Sequence, residues 1–367
     1  MRSAASGTFL KWRLTDACGN IAEWMPRWRS ANAAWFGGHP LLDERFTHPL
    51  VSHFARPGLL LAECVKDGES IVFLLLEQKS PVRWMAFLPS QACIGSNMFK
   101  PGLSDAEIRD SLSCLFSTLP GIPLIVDLPK QDPLVAPALV AAHGAVSSRV
   151  AGTTCAVQLR GSFAEYWAAR PKRLRQRMPG VERRLRNVNK SFSFEKHTAV
   201  CDMVGAVRRH GRLENSGWKG RQGTAMTIES SQGKFYVDVM ERFARDGEAA
   251  VFTLRCDDRL IASLLTIEHG SFQVVLKTAH DEEFREHSPG RYLDYQLMQH
   301  LLSAPSGKSL EMYTNASNIE LKWWPQSRDI RHITVFRNEM LRTVRDHAND
   351  LRGQFRRKET FEIAARE

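Results

Sequence analysis

The chain is 367 residues long, 43% hydrophobic and 25% charged, with a net charge of +10. That length fits two domains of ordinary size, and the composition is that of a soluble globular protein. No run approaches the ~18 uninterrupted apolar residues of a membrane span, and the N-terminal stretch lacks the apolar run of a signal peptide. Seven scattered cysteines with no CxxC pair read as reduced cytoplasmic thiols rather than a disulfide frame or a zinc site.

Residues 1–35 hold Trp12, Trp24, Trp28 and Trp35 without a clear period. His39-Pro40 opens a short helix through Phe46. Leu59–Val65 and Ile71–Glu77 flank Lys66-Asp67-Gly68-Glu69, a hairpin with Asp-Gly in its turn, and Val82–Leu88 is a third strand. Ser104 starts a helix to Leu119, with Glu107 completing a capping box. Pro123–Leu128 is a strand, Asp132–His143 a helix, and Val146–Leu159 one or two strands.

Ser162 caps the next helix, with Glu165 three residues on. Nine basic residues follow (Arg170, Lys172, Arg173, Arg175, Arg177, Arg183, Arg184, Arg186 and Lys190) against Glu182 alone. The run reads as a surface for nucleotide phosphates, an acidic polymer or tRNA, or as a solvated helix face. Phe163, Tyr166 and Trp167 precede it rather than interleave with it, which argues against single-stranded nucleic acid. Pro179-Gly180 is expected to break or kink it. Ser191–Lys196 is a strand, Val200–Leu213 a helix, and Glu214–Gly220 an irregular stretch. Ser231–Asp246 is a helix with Phe235, Val239 and Phe243 on one face. Ala250–Arg255 and Leu260–Glu268 form a hairpin about Asp257-Asp258. Near the end come a strand (Ser309–Tyr313), a short helix (Ser317–Trp324), a last strand (Arg331–Phe336) and a polar, basic helix over residues 338–358.

Between these lies Ser271–Leu302. Phe272, Val274 and Leu276 alternate as a strand does. An acidic turn, Asp281-Glu282-Glu283, follows. Ser288 then suits an N-cap and Pro289 the first helical position, with Leu293, Leu297, Leu301 and Leu302 on the helix face. The N–H groups of Gly290, Arg291 and Tyr292 at such a helix start can bind a phosphate, and Gly290 lets an anion come close. The alternative is an ordinary strand–loop–helix connection.

Three pieces of the second half resemble the GNAT-type acyltransferases of the CelD group, associated with cellulose and exopolysaccharide and akin to the FemAB peptidyltransferases. They are Glu214–Ala225, Phe252–Arg255 with Leu260–Ala262, and Leu276–Phe284 with Ser288-Pro289-Gly290. The likeness covers roughly residues 155–336 and, more weakly, Trp35–Pro40. It implies an α/β (α+β) architecture of two GNAT-like folds in tandem, each a twisted mixed sheet flanked by helices. The divisions are a degenerate N-terminal domain (1–152), an acyltransferase domain (153–340) and a basic tail (341–367). It implies acyl-CoA, above all acetyl-CoA, as donor, no metal, and an amine or hydroxyl of a sugar or polysaccharide precursor as acceptor. One departure is visible. Ordinary GNAT enzymes carry a Gly-rich loop directly after this strand, whereas eleven residues here separate Lys277 from Pro289. FemAB relatives use aminoacyl-tRNA instead of CoA, so an aminoacyltransferase is the alternative. A silent binding module is a third possibility, and the oligomeric state is open.

Direct acyl transfer needs a phosphate cradle, a donor for the thioester oxygen and a base. Ser288, Gly290, Arg291 and Tyr292 form the expected cradle. Lys277, at the strand end, would hold a phosphate or polarise a carbonyl. Glu214 is the first base candidate, Asp281 the second, and His280 the third because histidine titrates near neutrality. Trp218, with Lys219 beside it, would stack on a sugar or adenine, and Lys322 and Trp323 would line the acceptor pocket. No GxSxG, HExxH or P-loop occurs.

Overall fold

The computed structural model of the chain describes residues 10–136, 144–186 and 191–347, and for Arg186, Trp218 and Lys219 the backbone alone. The first half opens with β1 (Leu10–Asp16) and α1 (Ile21–Phe36), in a stretch whose sequence shows no period. The reason lies in α1 itself. Trp24, Trp28 and Ala31 fall on one face and are buried, and the two indoles meet edge to face at 5.7 Å. Packing of that face carries the helix through Pro26. A 3-10 turn at Pro40–Leu42 leads to α2 (Glu44–Phe54). β2 (Leu60–Lys66) and β3 (Glu69–Ser80) form the expected hairpin, with Asp67 at φ 51° and Gly68 at φ 87°. Positive φ at both positions gives the mirror-image turn that matches strand twist. β4 (Arg83–Ala86), β5 (Asn97–Phe99), α3 (Asp105–Thr118) and β6 (Ile125–Gln131) complete this half. Residues 133–135 form a turn where the sequence predicts a helix, and residues 137–143 of that helix lie outside the described residues.

The second half begins with β7 (Val146–Gln158), one strand rather than two, then α4 (Phe163–Ala168) and α5 (Lys172–Arg186). α5 runs through Pro179 instead of breaking there, because Met178, Val181 and Leu185 bury one face. Next come β8 (Phe192–His197) and α6 (Val200–Ser216), which absorbs Glu214, then α7 (Trp218–Arg221) and α8 (Ser231–Arg245). The stretch expected to be irregular is therefore largely helical. β9 (Ala249–Cys256), β10 (Arg259–His269) and β11 (Phe272–His280) are a meander. A 3-10 helix, Glu282–His287, takes the place of the acidic turn and leads to α9 (Pro289–Leu301). β12 (Ser309–Glu311), α10 (Glu320–Trp323) and β13 (Gln326–Phe336) follow. The C-terminal helix is described over 339–347, and the rest of its expected range lies outside the described residues.

All the strands among the described residues join one 13-stranded sheet, ordered β1-β2-β3-β4-β6-β13-β7-β12-β11-β10-β9-β8, with β5 on β3. The halves repeat one plan. An antiparallel meander ends in a strand (β4 or β11), a helix crosses (α3 or α9), and a strand returns parallel to it (β6 or β12). The closing strands are exchanged. β7, last in the first half by sequence, pairs with β12, while β13 pairs with β6, and the two pair with each other. The division at 152/153 falls inside β7. Helices α1, α2, α6 and α8 cover one sheet face as a single core. On the opposite face α3 covers the first half, and α5 with α9 covers the second.

Candidate functional site

β11 and β12 run parallel but pair only from Phe272–Ser309 to Val274–Glu311, then part. On the far edge of β11 the ladder with β10 slips, since Lys277 faces Leu265 while Val275 faces Thr266. Leu276 is thus the extra residue of a β-bulge, which re-aims the backbone groups around it. A cavity of about 840 Å³ opens where the strands part. Its walls come from both sheet faces: Ser288–Arg291 and Asp294 on the α9 side, Gln232 and Tyr236 of α8 with Ser90 and Cys93 of the first half on the other. The cavity therefore passes through the sheet, so two substrates can meet at the bulge from opposite sides.

α9 begins at the cavity. Ser288 occupies the N-cap position, but at φ 52° and without a side-chain capping bond, so its hydroxyl does not cap as expected. The Tyr292 N–H bonds the Ser288 carbonyl oxygen at 3.1 Å, which removes it from the expected cradle. The N–H groups of Gly290 and Arg291, in the first turn, remain the natural anion donors. The equivalent helix of the first half is different. At α3 both hydrogen bonds of the Ser104–Glu107 capping box are made, and Lys66 pairs with Glu107 at 2.5 Å. A carboxylate fills the place an anion would need there.

Lys277 reaches the cavity wall and is held from α6. Its Nζ lies 3.0 Å from Glu214 Oε1 and 3.2 Å from Oε2, and 5.2 Å from the Tyr236 ring centre. Glu214 Oε2 also accepts from the Met226 N–H at 2.9 Å. One turn earlier on α6, His210 Nδ1 lies 3.0 Å from the hydroxyl of Ser263, which lines the cavity. Both Glu214 and His210 are buried. Burial raises the Tyr236 hydroxyl pKa, and the Cys93 and Glu214 charges raise it further.

A second polar group lies on the α9 side. Arg291 bridges Asp294 (3.3 Å) and Glu320 (3.0 Å). The Asp294 side chain is 13% exposed. Burial pushes its carboxyl up to about 6; Arg291 opposes this and Glu320 adds to it.

The other expected residues are dispersed. His280 lines the cavity over Gly290. Asp281 does not line it. Its carboxylate caps the 3-10 helix through the Glu283 N–H and pairs with Arg259 at 2.5 Å. Trp323 is core, its carbonyl oxygen taking the Tyr166 hydroxyl at 2.9 Å and Arg170 at 3.0 Å, and Trp324 is the one at the cavity wall. Lys322 is exposed and away from the cavity. The side chains of Trp218 and Lys219, and residues 187–190 with Lys190, lie outside the described residues. The exposed α5 arginines (Arg173, Arg175, Arg177, Arg183 and Arg184) stand on a helix packed against α9 and the 3-10 helix. Sequence reasoning missed Asp294, Glu320, Tyr236, Cys93 and Tyr313. Only Asp294 carried a signal, since it follows Gly290 by four residues and so shares its helix face.

Tyr313, just past β12, has φ 43° and lines the cavity. Its hydroxyl donates to Asp132 at 2.7 Å and lies 2.9 Å from Nε2 of the fully buried His39. Arg328 grips Asp132 at 2.8 and 2.6 Å and pairs with Glu311 at 2.8 Å. Among the described residues no helix is long and apolar enough to cross a membrane, and no His/Cys/Asp/Glu group could hold a metal ion.

Residues 172–312 match the model of the acetyltransferase (GNAT) domain family. The sequence matches no curated protein. Among solved structures, the C-terminal domain of a putative lysylphosphatidylglycerol synthetase from Agrobacterium fabrum is 13% identical, with 86% of this chain and 92% of that one covered and a TM-score of 0.54. FemX is 10% identical, with 87% and 98% covered and a TM-score of 0.54. A conserved protein of unknown function from Bacteroides thetaiotaomicron is 8% identical, with 89% and 100% covered and a TM-score of 0.53. At these identities the three share the fold with this chain.

Proposed function

We propose that this chain, whose residues 172–312 match the acetyltransferase (GNAT) domain family, moves an acyl group, foremost acetyl, from acyl-CoA directly to an amine or hydroxyl of a sugar, polysaccharide precursor or similar acceptor. One observation carries the reading: β11 and β12 part beside a helix start that no side chain caps. Donor phosphates would lie on the Gly290 and Arg291 N–H groups, with the dipole of α9 behind them. The thioester would lie along the open edge of β11, where N–H groups at the Leu276 bulge can polarise its carbonyl. The acceptor would enter past Tyr236 and Cys93. Its nitrogen or oxygen attacks the carbonyl carbon, the C–S bond breaks and CoA leaves as the thiol. Lys277, oriented by Glu214, supplies positive charge at the developing oxyanion. The cysteines, none of them in a disulfide among the described residues, fit a cytoplasmic setting.

A FemAB-like aminoacyl-tRNA donor is the second reading, favoured by the α5 arginine face beside α9. Titration calorimetry with acetyl-CoA and with aminoacyl-tRNA separates the two. Acetyl-CoA is expected to bind, and Gly290→Val to weaken it by one to two orders of magnitude. A Cβ at Gly290 would stand 3.7 Å from His280 Nδ1, an ordinary contact, so the variant should fold at a cost of about 1 kcal/mol. Binding of tRNA alone would remove the acyl-CoA reading, and acetyl-CoA binding unaffected by the valine would make the start of α9 an ordinary core connection rather than the phosphate cradle.

A further inference from the structure

We infer that Asp294 is the group that takes the proton from the acceptor, an assignment that rests on the acyltransfer reading above. A base for this reaction must face the cavity, must not be consumed by structural bonds and must be able to reach the point where the acceptor meets the donor's thioester. The carboxylates near the cavity differ on these points. Both Glu214 oxygens are taken, by Lys277 and by the Met226 N–H. Asp281 is turned to Arg259 and to its own helix cap. Glu311 accepts from the Ser309 hydroxyl and pairs with Arg328. Glu320 lines the cavity but accepts from the Ser317 N–H and hydroxyl and from Arg291.

Asp294 lines the cavity too, and its one hydrogen bond among the described residues is Oδ2 to Arg291 at 3.3 Å, a long one. It stands one turn beyond Gly290 on the same face of α9, so a donor held at the helix start would run past its carboxyl. The charged and titratable groups around it are Arg291 on its own helix, Glu320 of α10 and Tyr166 of α4. Burial, opposed by Arg291 and aided by Glu320, raises the carboxyl to about 6, closer to the pH at which a base works.

The step is balanced. The acceptor N–H or O–H proton passes to Asp294 as the acceptor lone pair bonds to the carbonyl carbon. The C–S bond breaks with its electrons on sulfur, and Asp294 returns the proton to give the free thiol.

Thiol release from acetyl-CoA, with glucosamine and with water as acceptor probes, tests this across pH 5 to 8 in wild type, Asp294→Asn and Asp294→Glu. The asparagine variant should bind acetyl-CoA within threefold of wild type by calorimetry. Its rate should fall about 100-fold or more, and the acid limb of the rate profile should vanish. The glutamate variant should keep that limb at reduced rate. An asparagine variant within threefold of wild-type rate, or one retaining the acid limb, would overturn the assignment while leaving the acyltransfer reading intact. A wild type that neither binds acetyl-CoA nor releases thiol would sink both.

Discussion

Lys277 and Glu214 show how one side chain can be structural and chemical at once. Their side chains are 10% and 2% exposed, and they meet at 3.0 Å. Removing one partner of a buried pair leaves an uncompensated charge, at a cost of about 3–5 kcal/mol. Lys277→Ala should therefore lower the denaturant midpoint as well as turnover. Adding Glu214→Gln to Lys277→Ala should recover most of the stability, because the amide carries no charge, yet recover none of the turnover. Chemical denaturation and thiol-release assays on the single and double variants measure both parts. Equal recovery of turnover would make Lys277 a purely structural residue. Both residues are legible in the sequence because each stands out locally, Glu214 near a helix end and Lys277 as the one charge in an apolar strand, although β11 runs on to His280 and so does not end at Lys277 as expected. Tyr313, Cys93 and Glu320 are not, because only the sheet order brings them to the cavity.

At the level of elements, what was legible had a local cause. The Asp67-Gly68 turn and the capping boxes at Ser104 and Ser162 form as the sequence predicts, since each depends on residues within four of one another. What failed had a distant cause. α1 and α5 keep prolines inside because remote core surfaces hold their apolar faces. α5 sets the test of the charge run. If its face binds a polyanion, changing Arg173, Arg175, Arg183 and Arg184 to alanine should flatten the salt dependence of binding. The log–log slope should fall by about 0.7–0.9 for each phosphate that is no longer neutralised. Fluorescence titration with tRNA at several salt concentrations reads that slope. An unchanged slope leaves a solvated helix face.

Over the whole molecule, the bond between the halves is polar as well as apolar. His39 and Asp132 come from the first half, Tyr313 and Arg328 from the second, and all meet within hydrogen-bonding distance. Burial lowers the His39 pKa from 6.5 to about 4, outweighing the nearby Asp132 charge that raises it. The unfolded chain takes up a proton that the fold refuses, so this stability is whole above pH 6.5 and drains away as the pH falls toward 4. The loss is of the order of 3 kcal/mol. Relative to a His39→Gln variant, wild type should lose about that much between pH 7 and pH 4, read from urea midpoints; parallel losses in both would clear His39 of the role.

The exchanged strands give translation a direction that folding must wait for. The first half leaves the ribosome first, but the strand that covers the β6 edge is β13, the last strand among the described residues. Until Phe336 emerges, β6 presents an open row of backbone donors and acceptors, the kind of edge that recruits foreign strands. That edge stays open while the chain grows from Gln131, the end of β6, to Phe336. A ribosome stalling anywhere in the second half would release a chain that is long, sticky and unable to close.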